Sequence, residues 1–92
     1  MDYTVYILYS SQHDKIYIGF TSNLLERFKS HNLLSVKGFT LRYRPWTVVY
    51  CEYFCNKSDA MQREKELKSG IGRNWIKNKL RCDYPLLGFI SA

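Results

Sequence analysis

Ninety-two residues, of which 46% are hydrophobic and 16% aromatic, suit one small domain with a packed core and leave no room for a second domain. This composition excludes a disordered chain, and no apolar run approaches the ~18 residues that a membrane-spanning helix needs. A formal net charge of +6 makes a polyanion such as nucleic acid a candidate partner.

The first two predicted elements are the strands of a hairpin, over residues 3–9 and 15–20. Both are rich in Tyr, Ile and Val, and residues 10–14 between them are polar, as is typical of a hairpin loop. The first strand is apolar or aromatic at nearly every position. This pattern predicts a central strand that is covered on both faces.

A helix is predicted next, from a cap at Thr21 or Ser22 to about Leu34. The residues that we expect to form its core stripe are Leu24, Leu25 and Phe28. Arg27 and His31 are four residues apart and therefore share a neighbouring strip of the same helix.

Residues 35–46 follow neither a helical nor a strand period and are predicted to be a loop. Arg42 and Arg44 make the tip of this loop basic. A third strand is predicted over residues 46–54, with three apolar or aromatic residues at its centre.

Two helices are predicted to follow the third strand. The first begins at a cap, Asn56 or Ser58, and continues to Ser69, with Gly70 as the left-handed residue beyond its end. The second covers about residues 73–81. The residues expected on its buried face are Trp75, Ile76 and Leu80.

In chain order these elements predict an α+β fold, in which a small three-stranded antiparallel sheet is flanked by helices in the order β-β-α-β-α-α. We expect a single domain over residues 1–92. Residues 83–92 form an apolar tail, which we expect to cover the sheet or to form a dimer contact, because a free end of this kind would be an exposed apolar patch. The sequence predicts neither the oligomeric state nor protein partners.

Three cysteines, Cys51, Cys55 and Cys82, are odd in number and lack Cys-x-x-Cys spacing, which argues against a structural zinc site. We therefore expect reduced thiols in a cytoplasmic protein. The chain passes from Met1 almost directly into the first predicted strand, so we also expect no secretory leader and no membrane contact.

Basic residues are concentrated in the C-terminal half of the chain. Residues 1–36 carry no net charge, whereas residues 57–81 hold eight lysines and arginines against three acidic residues, a net charge of +5. Such a segment is suited to lie along a polyanion, where the release of counterions supplies affinity without sequence preference. The alternative is that two helices simply expose basic faces to solvent.

Glu64 is the acidic residue that fits an ordinary helix surface least well. It comes four residues after Ala60 and three before Leu67, and therefore lies on the stripe that those two residues predict to face the core. A carboxylate in that place is costly unless it is paired or binds a cation. An ion pair at the rim of the core and a metal site both remain open, whereas Glu66 points elsewhere as ordinary surface charge.

Several motifs in a fixed order resemble the GIY-YIG nuclease domain, and they cover nearly the whole chain. In chain order they are Val5-Tyr6-Ile7-Leu8, Tyr17-Ile18-Gly19, Thr21, Arg27, His31, Thr40, Pro45-Trp46, residues 60–68 and Gly72-Arg73-Asn74-Trp75-Ile76. The chain is therefore identified as a member of the GIY-YIG nuclease superfamily. It is similar to the short stand-alone bacterial members and to the nuclease domain of the excision-repair endonuclease. Val5 departs from the family pattern, which has a glycine in the first motif.

The resemblance implies a phosphodiesterase with one divalent cation, Mg²⁺ or in its place Mn²⁺, bound by Glu64. It also implies catalytic roles for Tyr6, Tyr17, Arg27 and His31. Arg27 is suited to the nonbridging phosphate oxygens because its guanidinium offers fixed, always-charged donors. Either Tyr6 or His31 would accept the proton of the attacking water, and Tyr17 would orient water or phosphate. Taken singly, each tyrosine could instead be a strand aromatic with its hydroxyl in solvent, and His31 part of a helix surface.

The function that we expect is that of an endonuclease that cleaves DNA in repair or recombination. The alternatives are a nucleic-acid-binding module with little catalysis and a nuclease that acts on RNA. The basic residues that we expect to contact the nucleic acid are Lys15, Arg42, Arg44, Arg63, Lys65, Lys68, Arg73 and Lys77. Asn74 and Asn78 follow Glu64 but do not align with the family's asparagine, and neither is assigned a role.

Overall fold

The structure is a computed structural model that describes residues 2–29, 31–32 and 39–83, with the backbone alone at residues 39 and 40. One antiparallel sheet has the spatial order β2-β1-β3, and its strands are β1 (Tyr3–Ser10), β2 (Lys15–Thr21) and β3 (Thr47–Phe54). The helices are α1 (Leu24–Lys29), α2 (Phe39–Arg42), α3 (Lys57–Lys68) and α4 (Gly70–Asp83). The predicted α+β fold is confirmed. The single turn of α2 lies where a loop was predicted, because four residues are too few to show a helical period.

The central strand β1 is covered on both faces, as predicted. Val5, Ile7 and Tyr9 point to one face and Tyr6 and Leu8 to the other, and each is at most 2% exposed. Successive side chains of a strand alternate between faces, so a strand that is apolar throughout needs a core on each side.

The larger core lies between the sheet and the two C-terminal helices. The helical residues that contribute to it are Ala60, Leu67, Ile76 and Leu80. The prediction that Trp75 is buried is wrong, because Ile76 and Leu80 set the inward stripe of α4 and leave Trp75 38% exposed beside it. The Trp75 ring packs edge-on against Tyr50, with 5.4 Å between the ring centroids, and the Arg63 guanidinium lies 5.4 Å from its centroid.

The cap of α1 is Asn23, and the prediction of Thr21 or Ser22 is wrong. The Asn23 side chain accepts a hydrogen bond from the backbone N–H of Glu26 at 3.2 Å. The Thr21 hydroxyl instead accepts from the N–H of Asn23 at 3.0 Å, in the turn that leads into the helix. Three adjacent residues have side chains that can cap, so the pattern alone does not rank them.

The segment after α1 is less regular than the predicted helix. Residues 31–32 adopt a wider π-type turn, and residues 33–38 lie outside the described part of the chain. Leu25 is 65% exposed, so its placement in the core stripe is wrong. Leu24 and Phe28, four residues apart, do pack against the second core on the Tyr6 side of the sheet, and they set the buried face of α1.

Helix α3 begins at one of the predicted caps, Asn56, whose side chain accepts a backbone N–H at 2.8 Å. At its other end the Ser69 hydroxyl donates to the Glu66 carbonyl at 2.6 Å and accepts from the Gly72 N–H at 3.1 Å. One hydroxyl therefore serves the end of α3 and the start of α4. The prediction of a left-handed Gly70 is wrong, since Gly70 is the first residue of α4 and the serine satisfies the last carbonyl instead.

Gly72 is expected to be intolerant of a side chain. A Cβ there would lie 2.6 Å from the Leu67 Cα and against the Glu66 carbonyl, both of them backbone atoms. We expect Gly72→Ala to lower the free energy of unfolding by about 1–3 kcal/mol through overpacking. Gly70→Ala is the matched control, because nothing lies within 4 Å of its Cβ. Alanine restricts the unfolded chain, so the control should gain about 0.5–1 kcal/mol in urea unfolding. Equal changes in the free energy of unfolding for the two substitutions would contradict the close contact at Gly72.

Within the described ranges no helix combines the length and apolarity needed to cross a membrane. The three cysteines are free thiols, with Cys51 half-buried on β3 and the other two exposed. Residues 84–92, nearly all of the predicted apolar tail, lie outside the described part of the chain, and their docking stays a prediction.

Candidate functional site

Two buried side chains form the centre of the site, Tyr6 on β1 and His31 in the turn after α1. The Tyr6 hydroxyl and the His31 Nε2 atom are 2.9 Å apart, a hydrogen-bonding distance. Tyr6 is 1% exposed and His31 is 5% exposed. His31 is therefore an interior residue rather than part of a helix surface, and its imidazole is committed to the tyrosine.

Tyr17 on β2 joins this pair. In the antiparallel register Leu8 pairs with Tyr17 and Tyr6 pairs with Gly19, which places both tyrosines on one face of the sheet. The ring centroid of Tyr17 lies 4.6 Å from that of His31 and 6.2 Å from that of Tyr6. The two tyrosine motifs thus converge through strand pairing.

Gly19 provides the space for the Tyr6 ring. A Cβ at this position would lie 2.6 Å from the Tyr6 hydroxyl oxygen and 2.8 Å from the adjacent ring carbon. Contacts this short do not occur between real side chains, and the buried Tyr6 ring has little room to move. The spacing of Tyr17 and Gly19 therefore has a steric reason. Tyr17 faces the site, and Gly19 on the same face leaves room for the ring of Tyr6.

A methyl group at Gly19 is expected to displace the Tyr6 ring. Gly19→Ala should lower the free energy of unfolding by about 1–3 kcal/mol. It should also lengthen the Tyr6–His31 hydrogen bond, which can be followed through the imidazole ¹⁵N chemical shifts of His31. Gly70→Ala serves as the control and should leave those shifts unchanged. Wild-type shifts in Gly19→Ala would contradict the steric role.

Arg27 on α1 brings a positive charge to the two tyrosines. Hydrogen bonding to Tyr6, together with the interactions with Tyr17, raises the pKa of Arg27. Burial raises the pKa of the Tyr6 hydroxyl to about 12, against the opposing effect of the Arg27 hydrogen bond and charge. Tyr6 therefore keeps its proton at neutral pH, and Arg27 remains charged beside it.

The pKa of His31 shifts in the opposite direction to that of Tyr6. Burial, together with the charges of Arg27 and Arg44, lowers the pKa of the imidazole below its ordinary value. The ring is therefore neutral at neutral pH, and one of its nitrogens is an acceptor. Because Tyr6 is protonated, its hydroxyl donates and the His31 Nε2 atom accepts.

Three residues hold the His31 turn in place. Arg44 donates through Nε to the His31 carbonyl at 2.6 Å. The Asn32 side chain donates to the Trp46 carbonyl at 3.0 Å and accepts from the Trp46 N–H at 2.7 Å. Arg44 was predicted only as a nucleic-acid contact, and the roles of Asn32 and Trp46 were missed. The feature of the sequence that could have indicated the Asn32 contacts is an amide side chain directly after the site histidine.

Glu64 on α3 supplies the carboxylate. Ala60 and Leu67 are buried, which confirms the inward stripe, and the Glu64 side chain is 20% exposed. Its pairing with Lys68 is long, at 3.6 Å, and a helix pair of this kind is worth about 0.3–0.5 kcal/mol. After burial and the Tyr17 charge, the negative charge of Glu64 makes a smaller contribution to the raised pKa of Tyr6.

The donor set around Glu64 fits magnesium. Within the described residues no three His, Cys, Asp or Glu side chains converge into a metal-binding group. Mg²⁺ retains several waters and needs only one or two protein carboxylates. Glu64 lines an open cleft on the surface of α3 together with Ser58, Met61, Gln62 and Lys65, which leaves room for water ligands. A zinc site built from several protein ligands does not fit the same residues.

Comparison with known proteins decides the family. The model of the GIY-YIG catalytic domain matches residues 2–78 of the chain. The chain belongs to the GIY-YIG family. Membership of the GIY-YIG family implies a nuclease-type function, and it confirms the resemblance in the sequence motifs.

Curated relatives of this GIY-YIG chain are UPF0213 proteins. The one from Staphylococcus haemolyticus is 38% identical over 65 residues, which cover 71% of this chain and 78% of the relative. The one from Natronomonas pharaonis is 38% identical over 68 residues, with coverages of 74% and 79%. The solution NMR structure of a UPF0213 protein from Bacillus halodurans has a TM-score of 0.50 and 27% identity, and covers 83% of this chain and 82% of its own.

Some predicted nucleic-acid contacts of the GIY-YIG chain lie close to the site. Lys68 and Arg73 border a cleft beside Tyr17, and the Nε atom of Arg73 donates to the Lys68 carbonyl at 3.2 Å. Lys65 borders the cleft that contains Glu64. Lys77 is half-buried on α4. Contact of these residues with nucleic acid stays a prediction.

Arg63 has a different environment in this GIY-YIG chain. Its guanidinium forms two hydrogen bonds to Glu52, at 2.9 and 3.0 Å, and Glu52 also accepts from the Tyr50 hydroxyl at 2.6 Å. Burial by itself would raise the pKa of Glu52, but the hydrogen bonds from Arg63 and Tyr50 outweigh it and hold the pKa below its usual range. Arg63 thus joins α3 to β3, and its contact with nucleic acid stays a prediction.

Proposed function

We propose that this GIY-YIG chain is an endonuclease that hydrolyses phosphodiester bonds in DNA with a divalent cation. The observation that carries the proposal is the hydrogen bond between a protonated Tyr6 and a neutral, buried His31, with Arg27 beside them. A buried acid and its acceptor beside a guanidinium that stays charged form an arrangement suited to proton transfer next to a phosphate.

The proton path follows from the protonation states of the pair. With a pKa of about 12, Tyr6 alone is a poor acceptor at neutral pH. His31 is neutral and 2.9 Å away. As the attacking water gives its proton to the Tyr6 oxygen, the proton of the Tyr6 hydroxyl passes to the His31 Nε2 atom. Tyr6 ends neutral, His31 ends as imidazolium, and the water oxygen bonds to phosphorus as the bond from phosphorus to the leaving oxygen breaks. The leaving oxygen takes up a proton from solvent, and His31 then returns its own proton to solvent.

Arg27 and Tyr17 are suited to hold the phosphate. A guanidinium binds nonbridging oxygens through two parallel hydrogen bonds and stays charged throughout. The interactions of Arg27 with Tyr6 and Tyr17 orient it toward the place where the water would be activated. Charge that develops on the phosphate during the reaction is therefore met by a fixed donor.

Glu64 is the residue that would hold the divalent cation, with water and phosphate oxygens as the remaining ligands. When bound, Mg²⁺ or Mn²⁺ supplies Lewis-acid stabilisation of the phosphate and the leaving oxygen. The single partly exposed carboxylate, bordered by a cleft, supports this assignment.

DNA is the proposed substrate, and repair or recombination in the cytoplasm is the proposed setting, on the strength of the family resemblance. The second candidate is a nucleic-acid-binding module with little catalysis, which the net charge of +5 over residues 57–81 favours.

The deciding experiment offers matched single-stranded, flapped and branched DNA, and RNA of the same sequences, with Mg²⁺, Mn²⁺ or EDTA. We expect cleavage of at least one DNA substrate that depends on the metal. Cleavage confined to RNA would show that the substrate is RNA and not DNA. Salt-sensitive binding to every substrate without cleavage would overturn the nuclease proposal in favour of the binding module.

A further inference from the structure

Three basic or titratable side chains surround the ring of Tyr43, the residue directly before Arg44. The Lys15 Nζ atom is 5.3 Å and the Arg42 Cζ atom 5.6 Å from the centroid of the Tyr43 ring. The His13 ring packs edge-on, with its centroid 5.5 Å from that of Tyr43. We refer to these four residues as the Tyr43 cluster. Separations of this size are those of cation–π interactions.

The Tyr43 cluster continues the face of the sheet that carries the candidate site. Lys15 and Tyr17 are two residues apart on β2 and therefore point to the same side, with about 6.6 Å between their Cα atoms. Tyr43 packs against the same core as Tyr6 and Leu8. A strand of nucleic acid that reaches Tyr17 would thus meet Lys15 one step farther along the face.

In the described part of the chain neither cation of the cluster has an acidic partner. Among the described residues no carboxylate lies within ion-pair distance of Lys15 or Arg42, and both side chains are exposed. Arg63 over Trp75 is the instructive contrast, because there Glu52 balances the charge. Like charges gathered at one ring repel one another, and an anion bound between them removes that cost.

We propose that Lys15 and Arg42, positioned by Tyr43, bind a second phosphate of the substrate strand, next to the phosphate held at Arg27. The inference rests on the proposed function and specifies its substrate class, a polynucleotide strand that spans the face with at least two phosphates. Tyr43 is a positioning residue in this arrangement, and His13 packs against its edge.

Binding without cleavage provides the test. A fluorescent single-stranded oligothymidine of about 20 nucleotides is titrated in EDTA at several salt concentrations, and the slope of log Kd against log salt is measured. Lys15→Gln/Arg42→Gln should weaken binding about tenfold and reduce the slope by about 0.7 to 1, the value expected for one lost phosphate contact. The control is Lys57→Gln/Lys79→Gln, with the same change of net charge on α3 and α4. An equal loss in the control would overturn the proposal.

The positioning role of Tyr43 is tested separately. Tyr43→Phe keeps the ring and should retain the wild-type slope, whereas Tyr43→Leu should reduce the slope by the same amount as the double variant. Thermal unfolding of each variant verifies that the fold is intact. A folded Tyr43→Leu with the wild-type slope would show that the ring does not position the cations.

The two proposals fail in different assays. Wild-type protein that binds DNA through Lys15 and Arg42 but cleaves no substrate with Mg²⁺ or Mn²⁺ overturns the nuclease activity and leaves the phosphate subsite standing. Cleavage by wild-type protein, with unchanged binding by Lys15→Gln/Arg42→Gln in EDTA, overturns the subsite alone.

Discussion

Glu64→Gln is expected to lower the rate of DNA cleavage by about 10³-fold or more and to leave the fold intact. The amide is nearly the same size as the carboxylate but lacks the charge that would hold a divalent cation. Metal stabilisation of a phosphoryl transition state is worth several kcal/mol, which corresponds to about that loss of rate. The ion pair with Lys68 is 3.6 Å long and partly exposed, so its removal should change the free energy of unfolding by less than about 0.5 kcal/mol.

Glu66→Gln is the matched control for this prediction. Glu66 lies on the same helix, its side chain is 53% exposed, and its contact with Arg63 is 3.5 Å long. Its cleavage rate should stay within about twofold of the wild-type rate, because weak surface pairs contribute little. Mn²⁺ binding, followed by electron paramagnetic resonance, should be lost in Glu64→Gln and kept in Glu66→Gln. Identical trace cleavage by wild type and Glu64→Gln would remove the case for a nuclease.

His31→Asn is expected to lower the cleavage rate by about 10²–10⁴-fold and to change its dependence on pH. In the wild type the acceptor is neutral imidazole, whose pKa is held below its ordinary value by burial and by Arg27 and Arg44. The rate should therefore be level across neutral pH and fall as pH decreases through that lowered pKa. With His31 absent, Tyr6 alone accepts the proton, and the residual rate should rise about tenfold per pH unit through the neutral range toward the Tyr6 pKa of about 12.

Single-turnover rates between about pH 5 and 9 distinguish the two profiles. Tyr6→Phe should be as slow as His31→Asn, since it removes the first step of the same path. The other described histidine, His13, lies outside that path, and His13→Asn should retain the wild-type inflection even if it binds DNA less tightly. A wild-type rate that keeps rising with pH through the neutral range would assign the base role to Tyr6 and contradict the assignment to His31.

Local patterns were sufficient for much of this fold. The strands follow from runs of β-branched and aromatic residues, and the start of α3 from a capping side chain at Asn56. The position of Glu64 on the stripe of Ala60 and Leu67 followed from helical spacing alone. At the start of α1 three neighbouring side chains could each cap the helix, and in α4 Trp75 lies just beside the buried stripe. Which residue caps, and whether Trp75 is buried, depends on tertiary packing that a local stretch of sequence does not contain.

The parts of the site that the sequence did not reveal involve partners far apart in the chain. The Arg44 contact with the His31 carbonyl spans 13 residues, and the Asn32 contacts with Trp46 span 14. Each is a side chain bonded to a backbone group, and backbone groups carry no residue identity for a motif to record. The resemblance supplied the tyrosines, Arg27, His31 and Glu64, but not the contacts that hold His31 in place.

The alternation of side chains along β1 separates positions where substitutions affect stability from positions where they affect the chemistry of the site. Positions 5, 7 and 9 contact the helical core, and positions 6 and 8 contact the core behind the site. A stabilising redesign can therefore be confined to the first set, since their side chains never meet the reacting groups. Laboratory evolution under thermal selection should accumulate its β1 changes at odd-numbered positions, while selection for altered chemistry should act on the even-numbered ones.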